Sequence, residues 1–451
     1  MSPSRRDFIK TGALIGAGLV MFPQILTGTS QSGVAPSDEI CVALIGCGTQ
    51  GNVLLDAILR TNRALGVRIV AVCDLWKFKL DATVRRLKAN GREVRGYTDF
   101  REMLEKEKSL DAVFIATPDF CHAPQTVACL NAGKHVYCEK MMAENIDRAR
   151  DIVRAAREAK SRGILTQIGH QRRSNPYYRF ALEHVLPAKI LGRVTHAVGQ
   201  WNRAVTRDFV APKKFRPDSA LLREFGYEDE HQFLNWRWFK KYSGGPISDL
   251  GAHQIDIFNW FFGNPQSVIA AGGNDYYKNH EWFDNVTATF AYATPAGTVR
   301  ATYQVLTTTG YGGGYFEAFM GDEGSLRLSE KVSLIRAYQE PRSVIDWQNY
   351  VERGLLANSD IPEIPEIDDN FDARASASIP AGEFVFPQRI TLGNKTIHQP
   401  HIENFIRAIR KKTELTCNAE EAFRSEAPIY RVNEAVSAEK MLRYSPEDFI
   451  V

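Results

Sequence analysis

The sequence predicts an α/β protein of two domains, a doubly wound parallel sheet followed by an α/β domain with a large, mainly antiparallel open sheet. Its 451 residues exceed what one ordinary hydrophobic core holds, which indicates two domains. Up to about residue 165, short apolar runs alternate with helical patterns, as they do in parallel sheets. Between residues 195 and 328, apolar runs alternate with turns instead, and this pattern is typical of antiparallel strands.

Composition and charge restrict the class of protein. Hydrophobic residues make up 44% and charged residues 24%, which is typical of a globular chain. The net charge of +3 is too small to indicate a nucleic-acid partner, and the sequence has no basic tail or aromatic RNA-binding motif. After residue 34 no stretch is apolar enough for a transmembrane helix, so we expect no membrane association beyond the N-terminal segment.

The N-terminal segment, residues 1–34, predicts export. Arg5 and Arg6 stand in SRRDFIK, the pattern of a twin-arginine leader, and the apolar run over 11–26 is too short to span a membrane. We therefore expect the twin-arginine export machinery as a partner and a periplasmic or otherwise exported location. No A-x-A site follows Leu26, so the sequence leaves cleavage of the leader open.

Seven cysteines are an odd number for an exported chain. Six of them lie between Cys41 and Cys138, and their spacings fit no zinc template. Cys41, Cys73 and Cys138 stand in or beside apolar runs, where a thiol packs as a small hydrophobe. The twin-arginine route moves proteins that are already folded, so these thiols would be buried before they meet an oxidising compartment.

The first strand and helix surround a glycine-rich turn. ICVALI (40–45) is a β-branched-rich strand pattern, GCGTQG (46–51) follows it, and a helical pattern follows the glycines. A second strand, VRIVAVC (67–73), ends at Asp74, 23 positions after the last glycine. A glycine motif by itself is weak, but strand, glycine turn, helix, strand and terminal acid at this separation predict a Rossmann dinucleotide site.

Each residue of the glycine turn has a predicted role in binding the dinucleotide. Gly46 permits the tight turn, Gly48 lets the backbone approach the pyrophosphate, and Gly51 allows the helix to pack closely on the strand. Thr49 and Gln50 open the helix whose N-terminus would hold the phosphates.

Asp74 predicts which dinucleotide binds. Its carboxylate would accept hydrogen bonds from the adenosine ribose hydroxyls and repel a 2′-phosphate, which favours NAD. Lys77 lies close enough in the sequence to leave NADP open. The alternative is a doubly wound fold whose glycine turn binds no dinucleotide.

The following units repeat the pattern of strand and helix. The strand over 111–116 ends at a Thr-Pro turn, a helix runs to Gly133 as its C-cap, and a strand over 134–140 follows. A helix capped by Asn145 and a strand over 164–169 complete the domain. Ligands bind at the carboxyl ends of such strands. The cofactor contacts predicted there are Thr117, Pro118, His122, Glu139 and Lys140.

Several motifs, in this order, resemble the Gfo/Idh/MocA family of oxidoreductases. They are GCGTQG, ATPDFCHAPQTVACLNAGKHVYCEK, IGHQRRSNP, GGPISDLGAHQIDIFNWFFG and HIENFIRAIRKK. The resemblance covers residues 38–335 and 398–445, and it implies an NAD(P)-binding domain joined to an α/β domain that carries the substrate site. That second domain often carries the oligomer interface, so we expect a homo-oligomer, a dimer or a tetramer. The family usually has Glu-Lys-Pro where this chain has Glu139-Lys140-Met141.

The resemblance also implies the catalytic residues. A dehydrogenase needs a base for the hydroxyl proton and a cation near that oxygen as hydride leaves the carbon. The family's lysine, aspartate and histidine correspond to Lys140, Asp249 and His253. We expect His253 as acid/base, Lys140 as the group that polarises the substrate oxygen, and Asp249 as a ligand of a neighbouring hydroxyl or a tuner of His253. Retention of the lysine favours a dehydrogenase over the family's glycosidases, which often lose it.

The spacing of these residues agrees with the assignment. After a Gly-Gly-Pro turn, the pattern predicts a helix with Ser248 or Asp249 as its N-cap. Asp249 and His253 are four residues apart on one face, and Asp256 on that face would orient or charge-stabilise the imidazole. Without the resemblance, the first two indicate only a cap and a surface pair. The three could ligate a metal by spacing, but no further ligand cluster is present, so we expect no metal.

Polar and aromatic residues around this region predict a carbohydrate substrate. They are Gln171, Arg172, Arg173, Asn202, Arg203, Trp236, Arg237, Trp238 and Tyr242. Indoles pack on sugar faces, and arginine and asparagine hold hydroxyls. We expect substrate contacts from Arg172, Asn202 and Trp236 in addition to Asp249 and His253. The alternative for each tryptophan is a place in the hydrophobic core.

The domain boundaries follow from these patterns. We assign 38–165 to the NAD-binding domain, 166–397 to the substrate and oligomerisation domain, and 398–451 to C-terminal helices that return toward the first domain. Residues 340–389, rich in Pro, Asp, Ser and Ala, predict an extended excursion that wraps a neighbouring subunit. The glycines over 310–319 predict either a loop over the site or a bend in a strand.

Together these observations predict an exported, NAD-dependent oxidoreductase that takes hydride from a secondary hydroxyl of a sugar or glycoside, with C3 as a specific version. Outside the cytoplasm there is no free nicotinamide pool. We therefore expect a tightly bound cofactor that one sugar reduces and a second acceptor reoxidises. Two alternatives stay open: a glycosidase that uses bound NAD through transient oxidation and elimination, and a non-catalytic sugar-binding protein on the same fold.

Overall fold

The computed structural model describes residues 38–359 and 381–451. The side chains of residues 62 and 63 are not described. The predicted export leader in residues 1–34 therefore lies outside the described residues, and so does the central part of the predicted excursion, residues 360–380.

The first domain is built on a parallel sheet with helices between its strands. The strands are β1 (Ile40–Ile45), β2 (Val67–Cys73), β3 (Arg95–Tyr97), β4 (Ala112–Ile115), β5 (His135–Cys138) and β6 (Thr166–Ile168). The helices are α1 (Thr49–Leu65), α2 (Lys77–Ala89), α3 (Phe100–Lys106), α4 (Asp119–Asn131) and α5 (Ile146–Ser161). The described strands are ordered β3-β2-β1-β4-β5-β6 and pair in parallel. This order confirms the predicted doubly wound sheet.

The position of β1 in this sheet determines where a ligand can bind. It pairs with β2 on one side and with β4 on the other, and Ile45 is level with both Cys73 and Ile115. The carboxyl ends of the three strands therefore lie together at the switch point where sheets of this kind bind ligands. The glycine turn and Asp74 directly follow two of these ends.

The second domain is built on a larger sheet. Its strands are β7 (Val194–Asn202), β8 (Pro265–Gly273), β9 (Asn285–Thr294), β10 (Gly297–Leu306), β11 (Tyr315–Gly321), β12 (Gly324–Leu328), β13 (Arg336–Gln339), β14 (Ala357–Asn358), β15 (Gly382–Val385) and β16 (Leu442–Arg443). The described strands are ordered β14-β15-β13-β12-β11-β7-β10-β9-β8-β16. Within this described sheet β7 and β10 run parallel, and the other neighbours are antiparallel. The prediction of a mainly antiparallel sheet is confirmed.

Short helices cover this sheet, and the longest of them carries His253. They are α6 (Pro176–Phe180), α7 (Ser219–Glu224), α8 (Glu230–Leu234), α9 (Gly245–Asp249), α10 (Gly251–Phe262) and α11 (Trp347–Glu352). Helix α10 packs on β11, with the rings of Phe258 and Phe319 centred 6.3 Å apart. The predicted N-cap is wrong. Ser248 and Asp249 belong to α9, and Leu250, which has no capping side chain, precedes α10.

The C-terminal segment forms the helices α12 (Gln399–Ile409) and α13 (Ala419–Ala438). Helix α12 lies against the first domain, where the ring of Phe405 meets that of Phe114 at 5.6 Å between centroids. Helix α13 reaches the loop after β5, where the Glu426 carboxylate accepts a hydrogen bond from the amide of Met142 at 2.7 Å. The two helices therefore connect the sheet of the first domain to the site region.

The residues on either side of 360–380 belong to the second sheet. Strand β14 pairs with β15, and β15 pairs with β13. Trp347 of α11 packs on Phe384 of β15, with ring centroids 5.1 Å apart. These parts of the predicted excursion lie on the chain's own sheet, and contact with a neighbouring subunit stays a prediction.

All seven cysteines are unpaired, and all except Cys121 are buried. The predicted burial of Cys41, Cys73 and Cys138 is confirmed. Burial raises the pKa of the Cys129 thiol to about 12, so it stays protonated and unreactive at neutral pH. Among the described helices, none combines the length and the apolar character that crossing a membrane requires.

Candidate cofactor and substrate site

The glycine turn after β1 has room for a ligand at Gly48. No described atom lies within 4 Å of where a Cβ at Gly48 would stand. Gly46 has φ +97°, and a Cβ there would lie 2.5 Å from the carbonyl oxygen of Ala116. At Gly51 a Cβ would lie 1.8 Å from the carbonyl oxygen of Gly46. The fold thus requires the first and third glycines, and the second opens onto the N-terminus of α1 at Thr49, which fits a pyrophosphate.

Asp74 follows β2 with its carboxylate held by the backbone. Oδ2 accepts a hydrogen bond from the Cys47 amide at 2.6 Å, and Oδ1 accepts one from the Trp76 amide at 2.7 Å. Burial raises the pKa of this carboxyl, and the two amide donors oppose the rise. The carboxylate is fixed beside the glycine turn, where it can receive ribose hydroxyls. The Lys77 ammonium is paired with Asp81 at 3.1 Å.

The Thr-Pro turn after β4 forms the next part of the site. The Thr117 hydroxyl donates to Gln125 Oε1 at 2.7 Å, and Pro118 directly precedes α4. The buried His122 ring has Nδ1 2.6 Å from the Met141 carbonyl oxygen and Nε2 2.7 Å from that of Thr117. Burial lowers the pKa of His122 to about 4. Both ring nitrogens face backbone carbonyl oxygens, so His122 joins two turns that border the site, and its contact with the cofactor stays a prediction.

Gln50 and Glu139 link the glycine turn to the end of β5. Gln50 Nε2 donates to Glu139 Oε1 at 3.0 Å and lies 3.2 Å from Nε2 of His398. Glu139 is buried against Gly169, where a Cβ would lie 2.6 Å from its Oε2. The predicted pair therefore lies together, and His398 joins it from the residue before α12. Sequence reasoning missed His398, because a single histidine in a polar loop gives no distinguishing signal.

The structure brings Lys140 and Asp249 together across 109 positions of sequence. The Lys140 ammonium donates to the backbone carbonyl oxygen of Asp249 and lies 3.9 Å from its carboxylate. The Lys140 side chain is largely buried. On its other side the Asp249 carboxylate pairs with Arg237, with Nε 3.1 Å from Oδ1. A buried ammonium fixed in this way can donate a hydrogen bond to a substrate oxygen.

Positive charge exceeds negative charge around Asp249. Burial alone would raise its pKa, but Arg237, Lys140 and Arg203 together hold it well below its usual range, so the carboxylate stays ionised. The Arg203 guanidinium lies 5.0 Å from the ring centroid of Trp201. Three cations around one carboxylate favour an oxygen atom that develops negative charge during a reaction.

His253 lies near the start of α10, with its ring centroid 5.4 Å from that of Trp201. Burial, and after it the charges of Lys140 and Arg172, hold the pKa of His253 well below its ordinary value. Within the described part of the chain, its ring nitrogens have no hydrogen-bond partner. A neutral imidazole with an open nitrogen can accept a proton from a hydroxyl.

Asp256 does not orient His253, contrary to the prediction. Its carboxylate is buried, and Oδ1 accepts hydrogen bonds from Arg173 Nη2 at 2.7 Å and from the Ser425 hydroxyl at 2.6 Å. Burial opposes ionisation, but Arg173 and His170 lower the pKa of Asp256 below its usual value. The turn of α10 thus directs this carboxylate toward α13. Among the described residues, no group of three or more His, Cys, Asp or Glu side chains could hold a metal ion.

Arg172 lies in the core of the second domain, which corrects its predicted contact with substrate. Its side chain is 1% exposed and pairs with Glu317 of β11 and with Glu330, the latter at 3.4 Å. The guanidinium also lies 5.4 Å from the ring centroids of both Tyr178 and Tyr315. Nη1 and Nη2 are committed to the two glutamates, and Nε is buried without a partner among the described residues, so Arg172 supports the sheet beneath the site.

Asn202 holds the glycine loop that joins β10 to β11. Its Nδ2 donates to the carbonyl oxygen of Tyr311 at 3.0 Å, and Gln200 Nε2 donates to that of Gly312 at 2.7 Å. The glycines thus form a loop, and β11 begins after them at Tyr315. Asn202 Oδ1 is buried without a partner among the described residues, so it retains an acceptor for a substrate hydroxyl.

The predicted aromatic residues divide between the site and the core. Trp236 is half-buried and carries the Arg237 guanidinium 4.3 Å from its ring centroid. Because Arg237 pairs with Asp249, Trp236 borders the charged cluster. Trp238 stacks on His280 at 4.0 Å between centroids, and Tyr242 is fully buried. Trp236 and Trp238 are partly buried against the hydrophobic cluster that contains Tyr242, and the role of Trp236 as a sugar contact stays a prediction.

Sequence reasoning also missed Asp119, the first residue of α4. It is buried, and its Oδ2 has no hydrogen-bond partner among the described residues. Burial raises the pKa of Asp119 well above its usual value, and Lys140 is the strongest opposing charge. A carboxyl that keeps its proton at this position would be a donor rather than a second anion. Asp119 directly follows the Thr-Pro turn at the end of β4, and this position in the sequence could have indicated a site residue.

Two family models match the chain. Residues 40–167 match a model described as an oxidoreductase family with an NAD-binding Rossmann fold. Residues 181–327 match the GFO/IDH/MocA C-terminal domain. The matched segments contain strands β1 to β5, most of β6 and the central strands of the second sheet.

Curated relatives are similar over part of their length. Inositol 2-dehydrogenase from Rubrobacter xylanophilus is 32% identical over 241 residues, which are 52% of this chain and 67% of that protein. Oxidoreductase P35 from Formosa agariphila is 26% identical over 194 residues, 43% of this chain and 53% of that protein. The chain thus spans about half to two thirds of the length of these relatives.

Solved structures share the fold. A levoglucosan dehydrogenase in complex with NADH has a TM-score of 0.67 at 16% identity, covering 90% of this chain and 99% of that chain. The WlbA dehydrogenase from Bordetella pertussis, in complex with NADH and UDP-GlcNAcA, has a TM-score of 0.66 at 18% identity, covering 90% and 98%.

Proposed function

This chain belongs to the Gfo/Idh/MocA family of oxidoreductases, and from that premise we propose that it is an NAD-dependent dehydrogenase of a sugar or glycoside. The observation that carries the proposal is the contact of the buried Lys140 ammonium with Asp249, next to the helix on which His253 lies. An inositol dehydrogenase among the relatives and a levoglucosan dehydrogenase among the structures support a polyhydroxylated substrate. The specific reaction that we propose is oxidation of the C3 hydroxyl of a glycoside.

The nicotinamide, when bound, supplies the acceptor for hydride. His253 accepts the hydroxyl proton at its open ring nitrogen while the C–H bond of that carbon breaks and its electron pair leaves as hydride. Lys140 donates to the same oxygen and stabilises its developing charge. The alcohol carbon becomes a ketone. In the return half, a second carbonyl compound receives the hydride at carbon and a proton from His253 at oxygen, so the enzyme ends as it began.

NAD fits the adenosine end better than NADP. The Asp74 carboxylate is fixed by two amides beside the glycine turn, where it would accept hydrogen bonds from the ribose hydroxyls and repel a 2′-phosphate. Lys77 is paired with Asp81 and so does not compensate for that repulsion. The cofactor preference follows from one fixed negative charge.

We place this activity outside the cytoplasm, as the leader in residues 1–34 predicts, with the protein as a homo-oligomer. Seven buried or half-buried thiols without disulfides agree with folding in a reducing compartment before export. No free nicotinamide is available after export, so the cofactor would be bound before export and retained through each cycle.

The test uses the purified chain without added cofactor. Denaturation and assay of the supernatant should release about one equivalent of nicotinamide. Adding sugars and glycosides one at a time to the native protein should then produce the absorbance of reduced nicotinamide with at least one of them. A cofactor that no carbohydrate reduces would contradict the dehydrogenase. An aryl glycoside that releases its phenol, with no acceptor added and no net reduction, would favour the glycosidase instead.

A further inference from the structure

The segment over 203–218, here called the strap, runs from the substrate side of the site to the first domain. It begins after β7 at Arg203, beside Trp201, and ends at Asp218, the N-cap of α7. A short 3-10 helix, Lys213–Phe215, lies within it. The strap therefore begins beside Trp201, whose ring packs on that of His253, and it carries Phe215 to the first domain.

Phe215 meets the first domain beside the carboxylate assigned to the ribose. The indole N–H of Trp76 donates to the carbonyl oxygen of Phe215. The ring of Phe78 lies 4.3 Å from that of Phe215, centroid to centroid. The Trp76 amide is itself one of the two donors to Asp74. One aromatic cluster, Trp76, Phe78 and Phe215, thus borders the adenosine end of the cofactor site from both domains.

The strap is anchored in the second domain ahead of this contact. The Asp208 carboxylate lies between two imidazoles, 2.8 Å from His231 Nε2 and 2.9 Å from His280 Nε2. The amide of Phe209 donates to Asn235 Oδ1 at 2.7 Å, and Asn235 Nδ2 donates back to the Phe209 carbonyl oxygen at 3.0 Å. Moving the strap as a unit would break these bonds together with the contact on Trp76.

We infer that the strap closes the adenosine end of the cofactor site, with Phe215, Trp76 and Phe78 as aromatic contacts of the adenine, and that it slows cofactor release. This rests on the proposed function, because it presumes a bound dinucleotide. Phe215 is still 36% exposed, so its ring has free surface for a planar base. Aromatic side chains stack on bases of any identity. A strap that holds the adenosine end explains how an exported enzyme keeps its cofactor.

The test measures release of NADH from the full chain by a chase with excess NAD, followed by nicotinamide fluorescence. Phe215→Ala should release NADH about tenfold faster or more, as expected for loss of one base-stacking contact. The matched control is Val210→Ala on the same strap, a residue that is 76% exposed, and its release rate should stay within about twofold of the parent. Equal release rates in the parent and in Phe215→Ala would overturn the inference. If the purified chain contains no cofactor, NADH is loaded first.

A second variant covers a failure of Phe215→Ala to fold. Trp76→Phe keeps an aromatic ring but removes the N–H that donates to the Phe215 carbonyl oxygen, together with part of the indole surface, so release should quicken by roughly twofold to tenfold. No change there would also overturn the inference. Sugar reduction of the bound cofactor is measured on the same samples. If release is faster in the variants but no sugar reduces the cofactor, the dehydrogenase proposal is wrong and the role of the strap stands. If a sugar reduces the cofactor but release is unchanged, the role of the strap is wrong and the dehydrogenase proposal stands.

Discussion

The cofactor side and the substrate side of the site differ in the groups that fix their geometry. On the cofactor side the backbone sets the geometry: Gly46 and Gly51 leave no space for a Cβ, and two amides fix Asp74. On the substrate side, charged side chains from separate elements hold one another, as Lys140 and Asp249 do. The cofactor side should therefore be disrupted by a substitution that adds one carbon atom. The substrate side should be disrupted by a substitution that removes a charge or its partner. Substitutions should separate cofactor content from hydride transfer.

The glycine turn should show the largest effect. Gly46→Ala places a Cβ 2.5 Å from a carbonyl oxygen at φ +97°, so we expect it to cost about 3 kcal/mol or more of stability and to abolish cofactor binding. Gly48→Ala, with open space around its Cβ, should fold with an unchanged melting temperature and yet lose most of its bound nicotinamide. Thermal unfolding and cofactor content measure both. Full cofactor content in Gly48→Ala would disprove the assigned pyrophosphate site.

Removal of the Lys140 ammonium on the substrate side should have the second largest effect. Lys140→Ala removes the ammonium that would stabilise the developing oxyanion, so single-turnover hydride transfer should fall roughly a hundredfold to ten-thousandfold. Bound cofactor should be retained, because the glycine turn and Asp74 are unchanged. Lys160→Ala, an exposed lysine of α5, is the matched control and should match the parent. Undiminished transfer in Lys140→Ala would refute its role.

The buried ion pair beneath the site should affect stability. Asp256→Asn leaves the Arg173 guanidinium buried without its counter-charge, which should lower the free energy of unfolding by about 3–5 kcal/mol. The control, Asp147→Asn, changes a carboxylate that is 86% exposed and should cost less than about 1 kcal/mol. Urea unfolding measures both. Similar values for the two variants would mean that Asp256 does not support the fold.

The pH dependence of hydride transfer should reflect the protonation of the His253 imidazole. Because its pKa is held well below the ordinary value, the ring stays neutral as the pH falls through about 6.5 and is protonated only in more acid solution. The single-turnover rate should therefore stay level from neutral pH down through that value and decline below it. A midpoint at or above the usual histidine pKa would contradict a buried, neutral base.

The smallest effect should come from Lys77. Its ammonium is paired with Asp81, so Lys77→Ala should leave the ratio of NAD to NADP affinity within about twofold. Asp74→Ser, which removes the fixed negative charge, should shift that ratio toward NADP by about tenfold or more. Titration of both cofactors into emptied protein measures the ratios. Equal shifts in the two variants would refute the assignment of preference to Asp74.

The cofactor side could be predicted from the sequence because its contacts are local. The glycine turn, Asp74 and the end of β5 belong to consecutive strand and helix units, so register and spacing alone bring them to one edge of the sheet. The substrate side could be predicted only as far as the motif around Lys140, Asp249 and His253 extends.

The expectations for Arg172 and Asp256 failed because their partners are distant in the sequence. Arg172 is neutralised by Glu317, 145 positions away, and Asp256 is held by Ser425, 169 positions away. No local pattern distinguishes an arginine that holds sugar hydroxyls from one that fills a buried ion pair. The distinction depends on which strand of the second sheet lies opposite, and that follows only from the complete topology.

The central proposal is that one retained cofactor carries hydride from a sugar to a second carbonyl compound. The direct measurement gives the protein a sugar deuterated at the reacting carbon, a keto-sugar acceptor and an excess of free, unlabelled NADH, followed by mass spectrometry of the reduced acceptor. The claim predicts that deuterium reaches the acceptor without dilution by the free NADH. An acceptor whose label falls in proportion to the added NADH, or that carries no label, would contradict it.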